Sequence, residues 1–353
     1  MRVEGTFSAW VFQRHQGLKE VRLERRTLLA HEVRLSVDAC GVCGSDRAVV
    51  QSRGQDAPVG MVDPVVMGHE ISGTVMEVGG EVSQVRVGEG VVVYPFISCS
   101  ACRACRAGQP NLCMRQHIVG YHRDGGYAEE VVVPAEVLLA RPPNRSAAAS
   151  ALLVDAYATP LHALKSVADV QAEESVLVMG GGGLGLAAIQ LVPLVANGPV
   201  ALWTRRESMR EMGARFGAAA VFIGHAENVR NTAREVRRWS GGGVDVVLDT
   251  EGSESSLYAA LQVVRPGGRV CVVGMSPARA VLPLSQMVRL GITVVGSYAS
   301  TVEECALLLE WSSAGLLDSG LLVGRSVPMG RLAEALTGNS HAVGRMVFQP
   351  GGE

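Results

Sequence analysis

From residue 175 to about residue 296, short apolar runs alternate with segments of helical period. The runs are Val176–Met179, Val200–Trp203, Ala220–Ile223, Val244–Asp249, Arg269–Gly274 and Ile292–Gly296. The helical candidates between them are Leu184–Val195, Glu207–Phe216, Asn228–Trp239 and Ser255–Val264. Strands that are apolar on both faces need a sheet covered on both sides, and crossover helices between parallel strands provide that cover. The first 155 residues read differently. Val33–Val37 alternates apolar and polar positions, as do the stretches near Thr74–Val78 and Val131–Val133, with Gly and Pro dense in the connections. This predicts a mostly β domain. The segment 297–353 offers one helix near Val302–Ala314 and one strand, Arg345–Phe348. It is too short to fold alone and is expected to rejoin the first part. The expected domains are therefore 1–155 with 297–353, and 156–296.

Composition removes several function classes. A hydrophobic fraction of 48% over 353 residues suffices for large cores, and a net charge of −2 gives no general field for nucleic acid or an anionic membrane. Ser175–Thr204 carries no charged residue and is long enough to span a bilayer. It also contains four consecutive glycines and two prolines, which suit a strand and turn rather than a lipid-exposed helix. No secretory apolar run follows Met1, since Glu4, Arg14 and His15 interrupt it. A cytoplasmic protein is expected. In that compartment the eight cysteines read as metal ligands and thiols rather than as disulfides.

The strand Val176–Met179 runs directly into Gly180, Gly182 and Gly185 in a G-x-G-x-x-G pattern, at the start of a helix pattern. That context makes a dinucleotide site. The first glycine allows a tight turn, the second lets pyrophosphate approach the backbone, and the third lets helix and strand pack. Gly183 and Leu184 bring the first free N–H groups of the helix to the phosphates. Pro193 should kink or shorten this helix. An NAD-preferring site places a carboxylate about 20 residues further on, at the end of the second strand. Here that strand ends in Thr204, Arg205 and Arg206, and no carboxylate appears until Glu207. A hydroxyl followed by two guanidinium groups suits a 2′-phosphate, so NADP(H) is expected over NAD(H).

Cys99, Cys102, Cys105 and Cys113 follow a C-x2-C-x2-C-x7-C spacing. Four thiolates in one loop close a tetrahedral shell around zinc, which makes a structural site. An iron–sulfur cluster would need a different last spacing. Cys43-Gly44-Ser45-Asp46 and Gly68-His69-Glu70 are weak signals singly. Taken in order with the cysteine loop and the glycine turn, they make the chain resemble the zinc-containing medium-chain dehydrogenase/reductase family of alcohol and polyol dehydrogenases, over essentially its whole length.

The resemblance implies a Rossmann doubly wound sheet beside a GroES-like, mostly β catalytic domain, with two zinc ions per chain. It makes Cys43 and His69 ligands of an open catalytic zinc, with Asp155 as the third and His162 as its rival. Glu70 is implied as a fourth ligand or as a partner behind the ligands, and Asp46 as a carboxylate that orients a ligand. Ser45 matches the hydroxyl that takes the alcohol proton, and Thr159 a residue backing the nicotinamide. Gly274 and the Ser297-Tyr298 pair match strand ends near that ring. Arg345 matches an Arg that reaches the pyrophosphate or pairs with the Glu70 region. Tyr94, Phe96, Tyr121 and His122 are pocket candidates only by their nearness to motifs.

One departure stands out. Many members carry His three residues after the serine, as a proton relay, where this chain has Ala48 beside an always-charged Arg47. The implied activity is hydride transfer between NADP(H) and a secondary alcohol, ketone or polyol. Ala48 keeps open an alternative, reduction of an activated C=C or C=N bond in specialised metabolism. The resemblance also implies a small-molecule substrate and a homodimer or homotetramer built through the last strand of the cofactor sheet. Cys40, Cys271 and Cys305 are left as buried thiols.

Overall fold

The computed structural model describes residues 5–277, 279–338 and 343–352. The chain forms two compact units, Met1–Ala156 with Thr301–Glu353, and Tyr157–Ser300.

The second unit is a six-stranded, all-parallel sheet. Its strands, in spatial order, are Ala220–Ile223, Val200–Thr204, Val176–Met179, Val244–Asp249, Val264–Val272 and Thr293–Gly296. The central strand Val176–Met179 is buried at every position, as its unbroken apolar run requires. The helix Val229–Trp239 buries Val229, Thr232, Ala233 and Val236, the i, i+3, i+4, i+7 stripe, and turns its arginines outward. Val229, Ala233 and Val236 join Leu177, Ala201, Val247 and Leu261 in one core. The helix Gly183–Val195 runs through Pro193 and stops two residues later. Proline near a helix end forfeits one N–H bond without ending the helix at once. The fifth strand starts earlier than the sequence pattern suggests, with an irregular register near Val244, and stops at Val272, two residues short of Gly274.

The first unit is mostly β. A seven-stranded sheet centres on Glu32–Gly41, which pairs antiparallel with Glu70–Val78, Glu130–Pro134 and Arg345–Phe348. The C-terminal strand Arg345–Phe348 therefore lies directly against Cys40 and Gly41, which lead into the Cys43 segment. The helix Val302–Ser313 opens on a reciprocal cap. Thr301 Oγ1 accepts the Glu304 N–H at 3.4 Å, and the Glu304 carboxylate accepts the Thr301 N–H at 2.9 Å. The mostly β unit and the doubly wound parallel sheet are the two architectures expected from the patterning. Among the described residues, no helix is long and apolar enough to cross a membrane.

Candidate metal centres and dinucleotide turn

Cys43, the adjacent pair His69–Glu70, and Asp155 come from three separate stretches of the first unit. Cys43 caps the helix Gly44–Gln51 at the end of one sheet strand, and Glu70 opens the neighbouring strand. Two glycines make the convergence possible. A Cβ on Gly41 would stand 1.8 Å from Glu70 Oε2, and Gly68, at φ +95°, would drive a Cβ into Tyr127 and the Cys40 sulfur. With no side chains there, the strand ends close in. One ligand-type atom from each of the four residues lies within 4.8 Å of the other three, and all four residues are buried. Asp155 Oδ2 is 3.4 Å from Cys43 Sγ and 3.6 Å from His69 Nε2. These are the edges of a tetrahedron whose centre lies about 2.0–2.3 Å from each donor, the bond lengths zinc takes with S, N and O. His162, on the helix Ala158–His162 of the other unit, is not part of this group.

The electrostatics of the group also fit a cation. Burial, together with the Asp155 charge, pushes the Glu70 carboxyl up to about 8, although Arg345 and His69 oppose it. Burial also works against the Asp155 charge, but His69 and Arg345 outweigh it and hold that carboxyl well below its usual range. Arg345, buried, donates to Glu70, and its Nη2 also reaches Asp155 Oδ2 at 3.4 Å and Cys43 Sγ at 3.6 Å. A buried thiol, imidazole and two carboxylates with one guanidinium are a donor set with room for more positive charge.

Behind His69 lies a second layer. Asp46 is wholly buried, with Oδ1 3.3 Å from His69 Nδ1. It accepts Tyr121 OH at 2.7 Å and Tyr127 OH at 2.6 Å. Burial disfavours its charge, yet His69 and the two phenols hold its pKa down. Tyr121 OH is also 3.0 Å from Ser45 Oγ, and its ring lies 5.4 Å from the imidazole. The phenol has one proton, which belongs on the carboxylate, so the Ser45 hydroxyl donates to the Tyr121 oxygen. Ser45 itself is half-buried, as is Ala48. His122 is committed elsewhere, accepting the Ile118 N–H at 3.0 Å and bonding Val59 O at 2.9 Å. Tyr94 and Phe96 are buried against each other, edge to face. Sequence reasoning missed Tyr127; its only local signal is its place after Gly125 and Gly126.

In the cysteine loop, Cys102 Sγ lies 3.5 Å from Cys105 Sγ and 3.9 Å from Cys113 Sγ, and Cys99 Sγ lies 3.9 Å from Cys105 Sγ. These are the sulfur–sulfur edges of a tetrahedron with bonds of about 2.3 Å. N–H groups of Ala101 and Cys102 lower the Cys99 thiol to about 6. Arg115 Nη2 donates to its sulfur at 3.3 Å.

In the second unit, Gly180 at φ +103° turns the chain out of its strand, and a Cβ there would meet Thr250 Oγ1 at 2.5 Å. A Cβ on Gly185 would stand 1.8 Å from Gly180 O, while beside Gly182 there is open space. The helix beginning at Gly183 has no side-chain cap, so Leu184 and its neighbours leave backbone N–H groups for an outside acceptor. Such a cradle fits a pyrophosphate. Thr204 is buried, with Oγ1 accepting the Arg206 N–H at 3.3 Å. Arg206 Nη2 donates to Gly181 O at 2.6 Å, and Arg205 is exposed, 3.6 Å from Glu251. Thr159 is buried on the helix Ala158–His162. Gly274 lies against Glu251, to which a Cβ would come within 2.4 Å.

Comparison with known proteins adds the following. A family model described as "Alcohol dehydrogenase GroES-like domain" matches residues 29–143, and one described as "Zinc-binding dehydrogenase" matches residues 183–314. The sorbitol dehydrogenase of Arabidopsis thaliana is 31% identical over 89% of this chain and 86% of its own length. The alcohol dehydrogenase of Geobacillus stearothermophilus is 30% identical over 86% of this chain and 87% of its own. The crystal structure of an NAD-dependent alcohol dehydrogenase aligns with a TM-score of 0.89 at 29% identity, covering 98% of this chain and 100% of that one.

Proposed function

Since the chain belongs to the zinc-containing medium-chain dehydrogenase/reductase family, we propose that it moves a hydride between NADP(H) and a secondary alcohol or polyol-like substrate, or the corresponding ketone. The observation that carries this reading is the buried Cys43–His69–Glu70–Asp155 group beside a half-buried serine hydroxyl. When bound, zinc supplies Lewis-acid polarisation of the substrate oxygen, and the nicotinamide gives or takes the hydride.

Cys43, His69 and Asp155 would hold that zinc. Glu70, which accepts from Arg345, would be its fourth donor in the resting enzyme or a partner behind the ligands. Asp46 holds the His69 ring through Nδ1 and leaves Nε2 for the metal. Ser45 would take the alcohol proton as its own proton passes to the Tyr121 oxygen and the phenol proton to Asp46, along hydrogen bonds of 3.0 and 2.7 Å. Cys99, Cys102, Cys105 and Cys113 would hold a second, closed zinc, for two per chain. The two chain segments 1–155 and 297–353 carry the metals, and 156–296 carries the cofactor. Gly180, Gly182, Gly183, Leu184 and Gly185 would take the pyrophosphate, Thr159 and Gly274 would serve the nicotinamide, and Thr204, Arg205 and Arg206 would serve the adenosine ribose.

Preference for NADP(H) is supported by the end of the second strand. Its first carboxylate, Glu207, is exposed and tied to Arg210 at 2.7 Å. The relatives, named for alcohols and polyols, do not favour reduction of C=C or C=N bonds. Eight cysteines, none in a disulfide, suit a reducing cytoplasm. A second copy of the chain is the expected partner, since the edge strand Thr293–Gly296 pairs on one side and exposed Val281, Leu284 and Val288 follow the fifth strand.

The test is a panel of secondary alcohols, polyols, ketones and enones followed by NADPH and NADH absorbance. Turnover of alcohols or ketones with higher kcat/KM for NADP(H) supports the reading. Turnover of enones alone, or a clear NAD(H) preference, would sink the corresponding part.

A further inference from the structure

The end of the second strand is only one side of the ribose question. The fourth strand of the parallel sheet, Val244–Asp249, runs on into Thr250, Glu251 and Gly252 on the opposite side of the glycine turn. Glu251 is held firmly there. Asp249 Oδ1 accepts the backbone N–H of both Glu251 and Gly252 at 3.0 Å, and its Oδ2 accepts Ser256 Oγ at 2.7 Å. The Glu251 stem lies so close to the turn that a Cβ on Gly180 would stand 3.0 Å from its Cγ. Its carboxylate reaches Arg205 at 3.6 Å, with 23% of the Glu251 side chain exposed against 67% of Arg205. A largely buried carboxylate on an anchored backbone thus stands beside an exposed guanidinium. Burial raises the Glu251 pKa, and Arg205 and Arg206 act against that rise.

We propose that Glu251 is a specificity-determining residue whose carboxylate competes with the cofactor 2′-phosphate for Arg205. This rests on the assignment of Arg205 to the adenosine ribose. Arg206 already donates to Gly181 O, so Arg205 is the guanidinium with freedom to turn to a phosphate. A phosphate bound to Arg205 must share it with Glu251 and accept a neighbouring negative charge. The neutral 2′-hydroxyl of NAD(H) meets no such penalty. Glu251 therefore narrows the preference for NADP(H) and keeps NAD(H) usable.

Isothermal titration of the zinc-loaded protein with NADP+ and NAD+ tests this in the wild type, Glu251→Gln, Arg205→Gln and the double variant. Glu251→Gln should tighten NADP+ about fivefold, the scale of an exposed ion pair, and leave NAD+ within about twofold. On the Arg205→Gln background the same change should tighten NADP+ much less, because only the direct repulsion between carboxylate and phosphate is left to relieve. Unchanged or weaker NADP+ binding by Glu251→Gln overturns the proposal. So does selective loss of NAD+, which would make Glu251 the ribose ligand instead. If the wild type prefers NAD+ while Glu251→Gln still tightens NADP+, the cofactor preference falls and this inference stands. Glu251→Ser serves for the same comparison if the glutamine variant does not fold.

Discussion

At the residue scale, Asp155 and Tyr121 carry the sharpest consequences. Asp155 Oδ2 faces Cys43, His69 and Arg345 at once, at 3.4, 3.6 and 3.4 Å. Asp155→Ala should lower the zinc content, measured by atomic absorption, from two to one per chain and abolish alcohol oxidation. Asp155→Cys, which restores a donor that zinc accepts, should keep two. An alanine variant that still holds two zinc ions would remove Asp155 from the ligand set. Tyr121 joins Ser45 to Asp46 through one oxygen. Tyr121→Phe keeps the ring beside His69 and loses only that oxygen. Partners behind metal ligands typically matter 10–100-fold, so we expect a drop of about that size in kcat/KM, with zinc retained under dialysis. Unchanged kinetics would reduce the phenol to packing. Little of this second layer is legible in the sequence. Tyr121 and Tyr127 sit 75 and 81 positions from Asp46, and no spacing rule links them.

At the element scale, the strand Glu32–Gly41 shows how a buried charge sets stability. Glu32 opens the strand and accepts both Arg26 nitrogens, at 2.6 and 2.8 Å, and the Leu29 N–H at 3.0 Å. The Arg26 bonds pull its carboxyl down to about 2 against the opposing effect of burial. A lowered carboxyl stabilises the fold fully above its unfolded value and loses that contribution as pH falls towards about 2. Arg26 is 52% exposed and screened by solvent, so the effect is about 1–2 kcal/mol. Glu32→Gln should cost about that much in urea melts at pH 7 and almost nothing near pH 2. A penalty independent of pH would point to lost packing instead. The elements themselves were largely readable. The helix Val229–Trp239 and the strand Val176–Met179 fall where the apolar periodicity puts them, because each buries a stripe or a run continuous in sequence. The early start of the fifth strand was not readable, since its first pairing depends on an irregular register with the fourth.

At the scale of the molecule, the parallel sheet ends on Thr293–Gly296, half-exposed and bonded on one side only among the described residues. Open strand edges invite pairing, and Val281, Leu284 and Val288 add exposed apolar area after the fifth strand. A dimer through this edge, alone or within a tetramer, is the expected assembly. Val288→Asp should shift sedimentation from dimer to monomer with the glycine turn and both zinc ions intact. A wild type that sediments as a monomer would overturn the expectation.

What the sequence determined by itself is whatever depends on neighbours along the chain. The cysteine loop is spelled out within 15 residues, the glycine turn within six, and the missing carboxylate after the second strand within four. Local spacing suffices there because one turn or loop places all the atoms involved. Only the tertiary structure decided the rest. Cys43, His69, Glu70 and Asp155 meet because two glycines let strand ends close in, and Arg345 reaches them because the C-terminal strand pairs beside Cys40. Glu251 faces Arg205 because Val244–Asp249 and Val200–Thr204 flank the central strand Val176–Met179, an adjacency fixed by sheet order that no linear spacing encodes.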